Sequence, residues 1–319
     1  MSKGNSKIGS DISRAQSLLE SGGVVAIPTE TVYGLAANAF NEEAVARIFD
    51  IKNRPSFDPL IVHVGSPDQL SKLSDHSAKD LKHLLDKFWP GPLTIILEKL
   101  SNIPDLVTSG MNSVAIRMPN HPFTLELLNN LEFPLAAPSA NPFGYISPTR
   151  AEHVNDQLGD KVDYILDGGP CQIGLESTIL SLTESKPKIL RLGGLEREKI
   201  ETMIGQIDSN THSTANPKAP GMLSSHYSPK KLLHLGDIIE MATDYPTNEI
   251  CYLSFKTCHN FPGIALSKTG NLREAAKNLF SALRELDKFS QSIILAELLP
   301  NEGLGRAIND RLRRAATQR

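Results

Sequence analysis

Lys52 and Arg54 stand two residues apart in Ile51-Lys52-Asn53-Arg54-Pro55, where a helix-periodic stretch runs out. Two chemistries compete for such a pair. A cation at the end of a helix opposes the helix dipole, and that alone accounts for Lys52. Arg54 asks for more, because a residue ahead of proline is pushed out of the helical region into an extended conformation. Arg54 should therefore project from a fixed corner, where a guanidinium suits phosphate. On these residues alone, phosphate binding and helix capping are evenly matched.

Residues 28–35, Pro-Thr-Glu-Thr-Val-Tyr-Gly-Leu, place hydroxyls and a carboxylate just past an apolar run. The end of a strand is where α/β proteins bind polar ligands; a turn whose hydroxyls satisfy their own backbone is the plainer alternative. Residues 137–141, Ala-Pro-Ser-Ala-Asn, repeat the pattern: small side chains admit a ligand to the backbone, and Ser139 and Asn141 can hydrogen-bond it. Residues 174–178, Gly-Leu-Glu-Ser-Thr, sit at another strand entry. Arg117 and Arg191 each close an apolar run, as surface residues or as forks for carboxylate or phosphate. His63 ends a third such run, where a structural histidine is the default.

Several familiar devices are missing. The sequence has no GxxxxGK[ST] loop, no HExxH and no GxSxG elbow, and Gly303-Leu304-Gly305 is too little for a dinucleotide fingerprint. An ATP enzyme of this sequence must hold phosphates with side chains and irregular loops. Cys171, Cys251 and Cys258 show no CxxC spacing, so neither a disulfide framework nor a structural zinc site follows. A formal charge of −3 gives no general attraction to nucleic acid or anionic membranes, and an anionic substrate needs a local cluster of cations. The polar start lacks the apolar stretch of a signal peptide, and no run is long enough to cross a membrane. The expectation is a cytoplasmic chain with no membrane partner.

These residues need elements to position them. With 319 residues, about two domains are expected. Short runs rich in Val, Ile and Leu predict strands at 24–28, 60–64, 93–97, 114–118, 135–137, 164–166, 178–182 and 189–192. Helical periodicity predicts helices at 12–19, 42–52, 78–88, 122–131 and 151–158, with Asn41 as an N-cap for the second. Residues 206–229 turn to Ser, Thr, Asn, Pro and His and read as a linker. Strands at 250–255 and 293–297 then flank a helix from Asn271, whose stripe is Leu272, Ala275, Ala276, Leu279, Phe280, Leu283 and Leu286 and whose start resembles a capping box with Glu274. The divisions are 1–205, 206–229 and 230–319, the last a small α/β domain. Arg306, Arg311, Arg313 and Arg314 read as cations on a solvated helix end.

Taken in order, the segments resemble the threonylcarbamoyl-AMP synthase family in its long form, a YrdC-like domain followed by a smaller one. The matching stretches are PTETVYGL (28–35), KNRP (52–55), PLIVH (59–63), WPGPLT (89–94), VAIRMP (114–119), APSAN (137–141), DGG (167–169) and ESTI (176–179), with residues 220–227 and 305–315 similar to the long form's linker and tail. The resemblance implies an α/β fold, a YrdC-like twisted mixed sheet with helices around a concave cavity, plus a Rossmann-like C-terminal domain. It implies a nucleotidyltransferase joining L-threonine, bicarbonate and ATP, with Mg2+ accompanying ATP and no prosthetic group or protein-held metal. A separate transferase machinery would pass the product to an adenosine beside the tRNA anticodon. Thr31, His63, Arg117, Ala137 and Ser177 would hold threonine. Arg54, Asp58, Ser113, Ser139, Asn141, Ser147, Arg191 and His226 would hold ATP, with Lys52 and Arg54 carrying the catalytic charge.

Two departures stand out: Leu223-Ser224-Ser225 precede His226-Tyr227 where relatives often carry a basic residue, and Leu192 stands where proline is common. The linker is expected to fold back over the cavity as a lid, its alternative being a mere tether. The rival functions are an RNA binder without catalysis, disfavoured by the charge, and another carbamoyl-adenylate enzyme, for whose extra domains the chain has no room.

Overall fold

The computed structural model describes residues 7–75, 78, 80–209, 217, 219–223 and 226–317. Among them, eleven short strands form one mixed sheet, in the order Ile8–Gly9, Tyr164–Leu166, Val25–Ile27, Gly34–Asn38, Leu135–Ala136, Ile61–His63, Ser113–Arg117, Leu93–Glu98, Thr178–Ser181, Lys188–Arg191 and Asp208–Ser209. Side chains alternate between two faces along each strand. One face is a continuous core in which Ala26, Leu35, Ala37, Val62, Ile95 and Ile116 meet the apolar sides of helices Glu42–Lys52, Leu81–Phe88 and Ala151–Leu158. The other face is split. Over Val25, Ile27, Ala36 and Leu135 it is covered by helices Ile12–Glu20 and Pro122–Asn130. From Ile61–His63 to Lys188–Arg191 it forms the floor of a cleft instead.

The predicted strands and helices recur with bounds shifted by a few residues. Helix Glu42–Lys52 is built as expected: the Asn41 side chain accepts from Ala44 N, Glu42 and Glu43 occupy the first turn, and Ala44, Val45, Ile48 and Phe49 are buried. Strand Gly34–Asn38 was not expected, because Gly-Leu-Ala-Ala-Asn has neither β-branched residues nor alternation, and its neighbours Val25–Ile27 and Leu135–Ala136 hold it extended. Strand Asp208–Ser209 lies within the segment read as linker and extends the sheet edge beside Lys188–Arg191.

The second unit is a four-stranded parallel sheet ordered Leu232–Leu235, Ile293–Ala296, Ile250–Ser254 and Gly263–Ala265. Helices Leu272–Leu286 and Gly303–Ala316 share a core with it, in a Rossmann-like arrangement. The stripe from Leu272 to Leu286 packs inward. The capping box is indirect: Asn271 accepts from the N–H of Arg273 and Glu274, while the return bond runs from Asn271 N–H to Ser267 Oγ, which itself donates to Glu274.

The reading of the C-terminal arginines needs correction. Arg313 is exposed and Arg306 half-buried, but Arg311 and Arg314 are buried. Their helix lies against the first unit, whose Glu176 pairs with Arg311, while Asp310 on the same helix pairs with both arginines.

Candidate active site

Strand register builds the cleft floor. His63 pairs with Arg117, Arg117 with Thr94, Thr94 with Ile179 and Ile179 with Arg191, across five adjoining strands. At about 4.8 Å per strand this belt spans roughly 19 Å. Its two arginines, Arg117 and Arg191, stand three strand spacings apart, roughly 14 Å, which suits an extended ligand with a charged group at each end.

At one end stands Arg117, buried and engaged on three sides. Its Nε donates to Gly91 O at 3.2 Å, its Nη1 to Thr31 Oγ1 at 2.9 Å, and its Nη2 lies 2.7 Å from Glu30 Oε1. A guanidinium has five N–H bonds. Its hydrogen bonds use the Nε hydrogen and one on Nη1, while Nη2 meets Glu30 as a charge pair without hydrogen-bond geometry, so N–H bonds remain on both terminal nitrogens, the fork that grips a carboxylate. Thr31 is oriented by the same arginine. Thr29 Oγ1 gives its hydrogen to Val32 O at 2.6 Å, so in its 2.8 Å contact with Thr31 it accepts. Thr31 Oγ1 thus donates to Thr29, accepts from Arg117 and keeps one lone pair, which fits an amine N–H. Burial first, and then the Arg117 charge, hold the His63 imidazole down at about pKa 3. It adds no second positive charge beside Arg117.

At the other end Arg191 grips residue 177 twice, Nε to Ser177 O and Nη2 to Ser177 Oγ, both at 3.1 Å. Its Nη1 reaches Pro220 O at 3.1 Å. Ser177 Oγ also meets Thr94 Oγ1 at 2.7 Å, tying it to the belt on the strand next to Arg117. Glu176 lines the cleft, and its carboxylate accepts from Ser147 Oγ at 2.6 Å.

The Lys52–Arg54 corner differs from the sequence reading. Asn53 takes a left-handed conformation (φ 51°) at the helix end, and Arg54 N–H returns to Phe49 O. Arg54 does not project freely. It folds back so that Nε donates to Asp58 O at 2.9 Å, Nη2 donates to Pro59 O at 2.7 Å, and Asp58 Oδ2 lies 2.9 Å away. Proline alone could not foretell this, because the partners come from the loop after it. Burial outweighs the pull of Arg54 and raises the Asp58 carboxyl above its ordinary value. Lys52, also buried, donates to Ser139 O and Asn141 O at 2.5 Å each. It braces the 137–141 loop, while burial first and Arg54 second pull its ammonium well below the ordinary value.

A segment beyond residue 217 covers the floor. Ala219 and Met222 pack into an apolar patch with Ile61, Ile96, Ala115, Ile179 and Leu190. Gly221 adopts φ +83°, where an added Cβ would lie 2.8 Å from the Tyr227 hydroxyl and 3.2 Å from Arg191 Cδ. Tyr227 is itself left-handed (φ 63°), a conformation costing on the order of 1–2 kcal/mol for a bulky residue. Its ring is fixed by stacking on Phe280. His226 lines the cleft, buried, and burial followed by Arg54 and Lys52 keep it neutral. The free space left is about 40 Å³, room for a few waters. Lys218, Ser224 and Ser225 of this segment lie outside the described residues.

The residues named from sequence divide by position. Arg54, His63, Arg117, Ser139, Ser177, Arg191 and His226 line the cleft, as does Ala137. Behind them stand Thr31 on Arg117, Asp58 on Arg54, Ser147 on Glu176, and Lys52 bonded to the backbone of Asn141. Ser113 is set apart from the arginine end: it opens strand Ser113–Arg117. Glu176, Gly221 and Tyr227 also line the cleft without having been singled out as ligands. Glu176 directly precedes Ser177 in a flagged motif, and that was the available signal. Among the described residues no group of three or more His, Cys, Asp or Glu is placed to hold a metal.

Residues 17–193 match the protein family described as telomere recombination (Sua5, YciO and YrdC), and residues 195–317 match the threonylcarbamoyl-AMP synthase C-terminal domain. The threonylcarbamoyl-AMP synthase of Pyrococcus abyssi is 40% identical over 321 residues, 96% of this chain and 94% of that one. The chain belongs to the threonylcarbamoyl-AMP synthase family. The Bacillus subtilis synthase is also 40% identical, over 96% of this chain and 92% of its own. The crystal structure of P. abyssi Sua5 complexed with L-threonine matches with a TM-score of 0.89 and 39% identity, over 96% of this chain and 94% of that one. Both the mixed sheet and the second unit of this synthase-family chain are therefore shared with a solved structure. No helix among the described residues is long and apolar enough to cross a membrane.

Proposed function

We propose that this chain is an L-threonylcarbamoyladenylate synthase, a nucleotidyltransferase that converts L-threonine, bicarbonate and ATP into threonylcarbamoyl-AMP, pyrophosphate and water. The observation that carries the reading is the belt from His63 to Arg191, with carboxylate chemistry at one end and a second arginine fork at the other. Arg117 takes the threonine carboxylate on the free N–H bonds of its two terminal nitrogens, and the Thr31 lone pair receives the amine. His63, Ala137 and Ser177 complete the threonine pocket. Threonine's deprotonated amine attacks the carbon of bicarbonate, water leaves, and a carbamate forms. A carbamate oxygen then attacks the α-phosphorus of ATP and expels pyrophosphate.

Arg191, Arg54 and Lys52 stabilise charge on the phosphates, with Asp58, Ser139, Asn141, Ser147 and His226 orienting the nucleotide. The protein's contribution is positioning and charge stabilisation. Mg2+ arrives with the triphosphate as part of the substrate and bridges its oxygens. Residues 219–223, 226 and 227 act as a lid that opens for ATP. The product passes to a transferase machinery that modifies tRNA in the cytoplasm, and contact between this chain and RNA is not primary.

Pyrophosphate release from ATP and bicarbonate, measured with each amino acid in turn, tests the reading. Release should depend on threonine. Equal release without any amino acid sinks it.

A further inference from the structure

Arg311, on helix Gly303–Ala316, is the largest side chain among the described residues with no more than a trace of exposed surface. Its Nε donates to Glu176 Oε2 at 3.0 Å and its Nη2 to Leu192 O at 2.8 Å. Its Cζ lies 4.9 Å from the centre of the Tyr227 ring. Glu176, Leu192 and Tyr227 are the immediate chain neighbours of Ser177, Arg191 and His226. One guanidinium from the second unit thus touches the residue next to each of three cleft-lining groups. We propose that Arg311 is a positioning residue for the synthase reaction, holding Ser177, Arg191 and His226 in register through the groups beside them. This rests on the cleft being the threonine and ATP site.

The support behind Arg311 is rigid. Its Nη1 meets Asp310 Oδ2 at 2.8 Å, and Asp310 is in turn held by Arg314 through both carboxylate oxygens at 3.0 Å. A second arginine of the same unit acts alongside. Arg284 donates to the backbone of Ile146 and, at 3.3 Å, to Ser147 O, so the serine whose Oγ bonds Glu176 is clamped from the same direction. Burial alone would push the Glu176 carboxyl up; Arg311 and then Arg191 pull it below its ordinary value. Arg311 is thus the first of several groups, with Arg191 and Ser147, that favour the charged form of a cleft-lining carboxylate. A mere clasp between the two units would need no contact at a residue whose ionisation reaches the cleft.

That difference supplies the test. The full-length wild type, Arg311→Met, Arg311→Lys and Arg311→Met/Glu176→Gln are assayed for threonine-dependent pyrophosphate release across about pH 6–9. A wild type without threonine-dependent release refutes the functional reading, and this inference with it. With an active wild type, Arg311→Met should lose on the order of 10²-fold in kcat. Its loss should deepen towards acid pH as the stranded Glu176 takes up a proton. Adding Glu176→Gln should abolish that acid limb, since glutamine has no proton to gain. Arg311→Lys keeps the charge but not the planar fork, so it should lose kcat without an acid limb. A wild-type rate in Arg311→Met, or a loss equal at every pH and unaltered by Glu176→Gln, overturns the proposal. Should Arg311→Met fail to fold, Arg311→Lys decides, and a wild-type kcat in that variant rejects the idea.

Discussion

Arg117→Lys isolates the threonine end of the cleft. The substitution retains a positive charge beside Glu30, so it does not strand a buried carboxylate, an error that would cost about 3–5 kcal/mol and confuse binding with stability. What it removes is the fork. Arg117 bonds Gly91 O and Thr31 Oγ1 and pairs by charge with Glu30, leaving N–H bonds on both terminal nitrogens. A hydrogen bond to a charged group is worth about 1.5–3 kcal/mol, so losing the paired geometry should cost about 3 kcal/mol of threonine affinity. That is about 10²-fold in Kd. Thr31 also loses the donor that orients its hydroxyl, which adds to the effect in the same direction. Calorimetric titration with L-threonine gives the number directly, and titration with ATP in its absence is the control. ATP affinity should be unchanged, because Arg191 and Arg54 lie away from Arg117 along the belt and at the corner beside it. Unchanged threonine affinity, or an equal loss for ATP, refutes the assignment of the two ends.

Three further outcomes follow from the same geometry. Arg54→Ala should reduce turnover by roughly 10²–10³ if Arg54 stabilises phosphate charge; the loss should persist in Arg54→Ala/Asp58→Asn, which removes the stranded carboxylate, and its rescue there would return Arg54 to a structural role. Gly221→Ala places a Cβ against Tyr227 and Arg191 at φ +83°, and with a left-handed penalty of about 1–2 kcal/mol it should weaken ATP binding by about tenfold. Isothermal titration checks it, and wild-type affinity would show that the covering segment does not contribute to the site. Acid should destabilise the fold through His63, whose folded pKa of about 3 lies below the ordinary 6.5. The unfolded chain then binds the extra proton between those values, so stability falls as pH drops below 6.5, by about 2 kcal/mol per histidine from pH 6.5 to 5. His226 acts in the same direction. Urea melts of wild type and His63→Asn across that window should differ in slope, and parallel curves would contradict the cause given.

The sequence made the floor of the site legible because its signals are local. Apolar runs ending in His63, Arg117 and Arg191 are strands that must be buried, and strand ends are where ligands bind. Pairing brought them side by side, which no local pattern could reveal. Two errors have the same origin. Arg54 was expected to reach outward, and Arg311 to face solvent, because nothing in the flanking residues announces Asp58 or Glu176 as a partner. In both cases a buried carboxylate from elsewhere captures the guanidinium. Strand Gly34–Asn38 was missed for a related reason: its small residues carry no strand signal, and the neighbouring strands impose the conformation. Contacts formed on folding, local for Arg54 and long-range for Arg311 and strand Gly34–Asn38, settled each.

The central claim is that one cleft joins three substrates. Incubating the full-length chain with ATP, L-threonine and 13C-bicarbonate and resolving the nucleotides by mass spectrometry tests it most directly. A new adenylate carrying one 13C, formed in step with pyrophosphate and absent when threonine is omitted, is the predicted result. Pyrophosphate release that yields only AMP, or an adenylate without the label, would contradict the account.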